Sequence, residues 1–350
     1  MQIIKKAKSM FDEDNKLYQI DKLGDPLTRL NRQIKWESFR EKIERCYPDT
    51  EPSKGDRPNF DRLMMFKILI LQRYYDLSDD SIEYQINDRL TFMRFLGLGL
   101  GDKVPDAKTI WLFREQMLRS GVLDELFVLF TESFQRMGLT INKGLIMDAS
   151  ITEARIQRNS REENSQIRKG IEPNDWEENK RRQKDTDADW TQKGGKKYFG
   201  YKNHITVDKG TKLITNFEVT PASVPDREIG EEFIDEMQGA EEVYADKGYP
   251  SKQIDEKLKD KGIANNIMEK GRKNVKLSGE SEARNNSISR VRCRIEHVFG
   301  YIKRGHRKYL IMCVGLPRAT AQITLMNLVY NMNRAIRIVN TRKLNIELSI

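Results

Sequence analysis

The chain has 350 residues, 38% of them hydrophobic and 33% charged, with a formal net charge of +9. That balance supports a sizeable core under a heavily ionised surface and argues against a disordered chain or a membrane protein. Three scattered cysteines without a CxxC pair and three histidines without ligand spacing argue against disulfide frameworks and thiolate zinc sites. Any metal here has to be held by carboxylates, which select hard ions such as magnesium or manganese.

Met1–Lys8 lacks the apolar stretch and small-residue cleavage site of a signal peptide, so a cytoplasmic location is expected. Residues 1–140 read as a helical domain. The longest apolar run, Leu63–Leu71, is interrupted by Lys67 and is too short to span a bilayer; it reads as part of a buried helix over Asp61–Tyr75. Asp80-Ser-Ile-Glu83 has the form of an N-terminal capping box. Gly97–Gly101 breaks the pattern, Asp106 after Pro105 caps a helix over Ala107–Arg119, and another helix follows over Val122–Met137. Short helices with tight polar turns suit a DNA-recognition module and a plain helical bundle equally, because no recognition-helix signature is visible.

After Lys143 the pattern changes. Gly144-Leu-Ile-Met147 is a short apolar run that ends in Asp148. Residues 155–197 form a charged insert, whose Trp176 and Trp190 are read as anchors of a loop to the core. Strand-like segments follow at Tyr198–Asp208 and Lys212–Pro221 around a turn at Lys209-Gly210. Asp226–Met237 reads as a helix, Glu242–Tyr244 as a short strand ending near Asp246, Ser251–Asp260 as a helix and Ile263–Met268 as a last strand. Two long helical patterns, Glu282–Arg304 and Arg318–Val339, close a domain over 141–340, leaving 341–350 as a tail. The fold class expected is α/β: a mixed-sheet core flanked by helices, behind an all-helical N-terminal domain.

The positive excess lies wholly in 141–350. Lys270–Lys308 alone holds twelve Lys and Arg against three acids, the footprint of a phosphate-backbone binder or, more plainly, of a solvated surface. Asp148 and Asp246 both follow apolar strand-like runs, and neighbouring strand ends can bring their carboxylates to one edge. Taken singly, each is as readily a turn former or a helix cap. Ile288, Val291, Ile295, Val298 and Ile302 make one buried helix face, beside a stripe of Arg292, Glu296, Gly300 and Lys303. An acid amid Arg290, Arg292, Arg294, Lys303 and Arg304 makes sense if phosphate must be drawn to it; the plain alternative is a surface Arg–Glu pair worth about 0.3–0.5 kcal/mol.

Met147-Asp-Ala-Ser150, Tyr244-Ala-Asp-Lys-Gly-Tyr249 and Arg292-x3-Glu296-x6-Lys303 together resemble the insertion-sequence DDE transposases of the IS-four and IS-five type. Lys196-Lys-Tyr-Phe-Gly-Tyr-Lys-Asn-His204, Thr220-Pro-Ala-Ser-Val-Pro-Asp226 and Ala321-Gln-Ile-Thr-Leu-Met-Asn-Leu328 support the likeness, and Arg57-Pro-Asn-Phe-Asp-Arg62 to Leu118 is similar to the helical domain that precedes the core in the IS-five group. The resemblance covers residues 40 to 340. Ser289 stands where the related signature often has Tyr, so a tyrosine contact to DNA is not expected there.

The resemblance implies an RNase H-like core with two acids on adjacent strands and the third on a late helix. It also implies two Mg2+ (or Mn2+) ions, with Asp148 bridging both, Asp246 holding one and Glu296 the other. Arg292 and Lys303 would hold phosphates, and Arg304 and Lys247 are further candidate DNA contacts. The implied activity is binding of the element's inverted-repeat ends through the N-terminal domain, cleavage, and joining of 3′ ends to target double-stranded DNA. It is expected to run in a homodimer or higher assembly at the nucleoid. An RNase H-like nuclease or resolvase without strand transfer, and a DNA-binding repressor with a dead core, are the competing readings.

Overall fold

A computed structural model describes residues 11–47, 60–140, 143–154, 158–173, 176–271, 276–305 and 310–350. Met1–Lys8, Arg57-Pro-Asn59, His306 and parts of the 155–197 and 270–308 stretches lie outside the described residues. The N-terminal part is helical: α1 (Asp12–Lys22), α2 (Pro26–Gln33), α3 (Arg40–Glu44), α4 (Arg62–Tyr75), α5 (Asp79–Asp88), α6 (Leu90–Leu96), α7 (Ala107–Arg119) and α8 (Val122–Arg136). Asp61 caps α4 by accepting the Met64 N–H at 2.9 Å, and Asp106 caps α7 by accepting that of Thr109 at 2.7 Å. The expected box at Asp80 is not the start of α5. Ser78, in extended backbone, accepts the Ser81 N–H at 3.1 Å, which puts both Asp79 and Asp80 in the first turn. Glu83 reaches forward and accepts the N–H of Ala107 at 2.7 Å, satisfying a free donor at the start of α7.

The sheet begins at β1 (Gly144–Ala154), longer than the apolar run suggests, so Asp148 stands inside the strand rather than beyond it. The charged insert is not one loop: it carries α9 (Arg161–Ile167), α10 (Glu178–Arg181) and β2 (Asp189–Lys193). Then come β3 (Lys196–Asp208), β4 (Ile214–Pro221), α11 (Asp226–Glu236), β5 (Glu242–Ala245), α12 (Lys252–Asp260), β6 (Ala264–Ile267), α13 (Gly279–Gly305), β7 (Leu310–Ile311) and α14 (Leu316–Arg342).

Among the described residues the sheet runs β2-β3-β1-β5-β6, with β4 also paired to β3 and β7 to β1. β3 lies antiparallel to β1 and β4, while β5 and β6 lie parallel to β1. A three-strand antiparallel meander continued by two parallel crossover strands is the RNase H-like arrangement. β1 pairs with β5 over Gly144–Ile146 and with β7 only at Glu153 and Ala154. Between those points one edge of β1 is open among the described residues, and Asp148 sits in that opening.

Alternation along β1 sends Leu145 and Met147 into a core with α11 and α12, and Ile146 into a core with α13 and α14 on the other face. The second core is continuous with the N-terminal helices, because α14 is buried nearly all round, from Ala319 to Val339, between them and the sheet. No helix among the described residues is long and apolar enough to cross a membrane. Leu328→Ala, at a fully buried position of α14, should cost about 2–5 kcal/mol. Urea unfolding of the variant, followed by circular dichroism and by tryptophan fluorescence, should give one coincident transition, and two separate transitions would show that the helical part and the sheet have independent cores.

Candidate active site

The parallel register pairs Ile146 with Tyr244, so two residues further on Asp148 and Asp246 reach the same level of neighbouring strands. Both follow residues that face α11 and α12, Met147 and Ala245, so both carboxylates turn to the opposite face, over which α13 passes. Asp246 begins a tight turn, its Oδ1 accepting the Gly248 N–H at 2.7 Å. A Cβ on Gly248 would lie 2.9 Å from that oxygen, so glycine is what leaves the carboxylate room. Tyr249 then plunges into the core beneath the two acids. Its ring rests on Gly230 of α11, where a Cβ would come within 2.7 Å, and burial pushes its phenol well above the usual range, helped by the charges of Asp148, Asp226 and Asp246.

α13 is fixed across this edge by its own N-terminal turns. Arg284 donates to the carbonyls of Ile267 and Asn265 at 2.9 and 2.7 Å, and Asn285 exchanges hydrogen bonds with the Glu269 backbone at 2.9 and 3.0 Å. Ile288, Ile295, Val298 and Ile302 bury the expected face. The adjacent stripe meets the acids: Arg292 Nη2 donates to Asp148 Oδ2 at 3.0 Å, with the two side chains only 11% and 14% exposed. Arg292 Nη1 touches the Met268 sulfur at 3.7 Å, while Nε is buried with no hydrogen-bond partner among the described residues. Burial raises the Asp148 carboxyl against the pull of Arg292, and the neighbouring charge of Asp246 raises it further. Lys303, about two turns beyond Glu296, feels the charges of both Lys193 and Asp148, and partial burial lowers its ammonium.

The other expected residues stand further out. Glu296 lies on the same stripe but is solvent-exposed, and no three Asp, Glu, His or Cys side chains among the described residues converge closely enough to hold a metal. Lys247 is exposed in the turn after Asp246, and Arg304 is exposed near the end of α13. Lys193, at the tip of the β2–β3 hairpin, went unread; the Lys193-Gly-Gly turn in a charged stretch was its only sequence signal. The Lys196–His204 and Thr220–Asp226 motifs meet on the α11 face, where Lys202 Nζ donates to Asp226 Oδ1 at 2.7 Å and to the Val224 carbonyl at 2.7 Å. His204 is sealed there against Thr220 Oγ1 at 2.9 Å, and burial holds its imidazole down at about 4, so it is neutral.

The donor chemistry suits a hard divalent cation. Two carboxylates face one side, Asp148 is pressed towards its neutral form by burial and by its neighbour, and a cation between them relieves both costs. Removing only the positive partner should expose that cost. Arg292→Met is expected to lose about 3–5 kcal/mol in chemical denaturation, and adding Asp148→Asn should recover part of the loss. Strictly additive effects would mean that the pair is not a unit.

A family model described as "Transposase DDE domain" matches residues 143–332, and one described as "Transposase domain (DUF772)" matches residues 15–116. A piggyBac transposase synaptic complex with hairpin DNA, solved by cryo-electron microscopy, is similar at 12% sequence identity over 93% of this chain and 75% of that one, with a TM-score of 0.41.

Proposed function

This chain belongs to the DDE transposase family, and we propose that it binds the ends of its own DNA element, cleaves phosphodiester bonds there and joins the freed 3′ ends to target double-stranded DNA. The observation that carries the reading is the Asp148–Asp246 pair on adjacent strands beneath the Arg292 stripe of a family-matched domain. The family works with divalent metal ions, and we assign two Mg2+ (or Mn2+), which Asp148, Asp246 and Glu296 would hold. Such ions would activate the attacking oxygen and stabilise the leaving oxygen of an in-line phosphoryl displacement. In the first displacement a water oxygen bonds to phosphorus and the bond to the 3′ oxygen breaks. In the second, that 3′ hydroxyl attacks a target phosphodiester and a new 3′ oxygen leaves.

Arg292 carries a buried, unpartnered Nε–H beside Asp148, and an orphaned donor in such a place calls for an acceptor. A DNA phosphate oxygen satisfies it while drawing the scissile group to the acids. Lys303, Arg304 and Lys247 extend the positive surface around that point, and the helical part is assigned to recognition of the element ends. The acting species is proposed to be a homodimer or higher assembly, working at the nucleoid.

Asp148→Asn, Asp246→Asn and Glu296→Gln should each abolish Mg2+-dependent cleavage of end-containing DNA while leaving end binding nearly unchanged; the unfolding midpoint should hold for Asp246→Asn and Glu296→Gln and fall for Asp148→Asn, which strips the buried Arg292 of its partner. Substantial cleavage by any one of the three removes that residue from the site. Pre-cut ends incubated with plasmid should yield joined products; hydrolysis alone would identify a nuclease instead.

A further inference from the structure

A cavity of about 800 Å³ opens beside Glu296, between α13, α14, the β3–β4 turn and the N-terminal helices α2 and α4. Its lining is unusual in charge: Arg29, Lys212, Arg304, Arg334 and Arg337 contribute to it, and among the described residues Glu296 is its only acid. None of those five cations makes an ion pair among the described residues, although elsewhere Arg94, Arg114, Arg168 and Arg318 each take a carboxylate. Converging cations repel one another, and a fold keeps them together where an anion is to be received.

Lys212 shows that the convergence is built rather than incidental. It is one of three non-glycine residues with a left-handed backbone among the described residues, at φ 64°. That conformation costs a residue with a side chain and is held here from outside. Tyr330 Oη donates to the Lys212 carbonyl at 2.7 Å, and Arg334 Nε donates to the Thr211 carbonyl at 2.6 Å. The Lys212 ammonium is thereby aimed at His297 Nδ1, 3.2 Å away, where burial and the charges of Arg334 and Arg294 lower its proton affinity. Tyr301, 48% exposed, packs edge-on against Tyr330 at the same wall. Cations interleaved with aromatic rings are the chemistry of a nucleic-acid strand, with phosphates on the cations and a sugar or base on the ring.

We propose that this cavity is a second DNA contact, seating backbone phosphates of the strand that runs from the N-terminal helices past Glu296 to Asp148 and Asp246. The inference rests on the DNA-processing reading above and adds residues that no motif marked: Arg29, Lys212, Arg334 and Arg337. Counterion release makes it measurable, since each lost phosphate contact flattens the plot of log affinity against log salt by about 0.9 for duplex DNA.

The test uses the full chain and a short DNA duplex of arbitrary sequence, with binding read by fluorescence anisotropy over a salt series. Lys212→Gly suits the left-handed backbone and removes only the side chain; it is combined with Arg337→Ala. A charge-matched control carries Lys252→Ala and Lys259→Ala on exposed α12. The cavity pair should flatten the slope by about two contacts' worth, and the control pair should leave it unchanged. An unchanged slope in the cavity pair, or an equal drop in the control pair, overturns the cavity assignment while leaving the DNA-processing reading intact. A wild-type chain with no salt-dependent DNA affinity overturns both.

Discussion

Two asparagines sealed inside α14 fix how this molecule is put together. Asn327 exchanges hydrogen bonds with Asn203 of β3, at 2.9 and 3.2 Å, and Asn331 accepts the Ile214 N–H of β4 at 2.9 Å while donating to its carbonyl at 2.8 Å. Both amides are fully buried, and an unpaired amide in such a place costs about 1–3 kcal/mol. A helix as apolar all round as α14 has no amphipathic stripe to choose its rotation; the asparagines choose it. With that rotation set, one side of the helix receives α4 and α8 and the other receives the sheet. Thr324 Oγ1 donating to Asp124 Oδ1 at 2.9 Å and Arg318 forking onto Glu115 at 2.8 Å then lock the N-terminal helices on. The helical part and the sheet are therefore mechanically continuous, which suits the proposed coupling of end binding to cleavage.

The site itself is governed by charge. Asp148 is little exposed and has Asp246 for a neighbour, so it needs positive charge at contact distance, and the first to meet it is Arg292 from the helix above. Glu296, one turn along the same helix, stays out in solvent. Carboxylates brought close together repel one another, a cost that nearby positive charge relieves. The same reasoning accounts for Lys303, from the same helix, and Lys193, from the β2–β3 hairpin, lying near Asp148. The positive residues around the acids thus offset the cost of holding carboxylates in apolar surroundings, and they are the surface proposed to meet a phosphodiester.

Much of this was legible in the sequence because it depends on local rules. The helix over Ala107–Arg119 follows from Asp106, the long terminal helices from their three-and-four spacing, and the level pairing of Asp148 with Asp246 from two apolar runs that each end in an acid. What escaped depends on contacts distant in sequence. Ser78 rather than Asp80 starts α5 because Glu83 is recruited by α7, 24 residues on. β1 runs on past Asp148 because β3 offers it pairing partners as far as Gly200, which no apolar pattern in Ser150–Ala154 reveals. Lys212 was read as the first residue of a strand; its left-handed backbone is imposed by Tyr330 and Arg334 of α14, more than a hundred positions away.

The charged insert shows the same principle at the largest scale. Its composition is that of a solvated loop, yet Glu163, Asp185 and Asp189 are turned inward. Asp185 is fully buried and accepts from the Tyr201 hydroxyl at 2.8 Å, from the backbone of Ala188 at 3.1 Å and from that of Gly315, at the start of α14, at 3.2 Å. Asp189 holds Arg168, and Glu163 holds Lys184 and the indole N–H of Trp176. Trp190 donates to the Asn159 carbonyl at 2.9 Å and lies against Phe199. Both tryptophans are thus anchors within the protein, and the buried acids knit the insert to β3 and to the N-terminus of α14. Rigidity bought in this way ends at the β2–β3 hairpin, whose tip carries Lys193 towards Asp148 and Lys303. A flexible loop would present that cation as a diffuse charge; a loop tied at Asp185 and Asp189 presents it at a fixed point on the rim of the acids, where a phosphate bound by Arg292 would also lie.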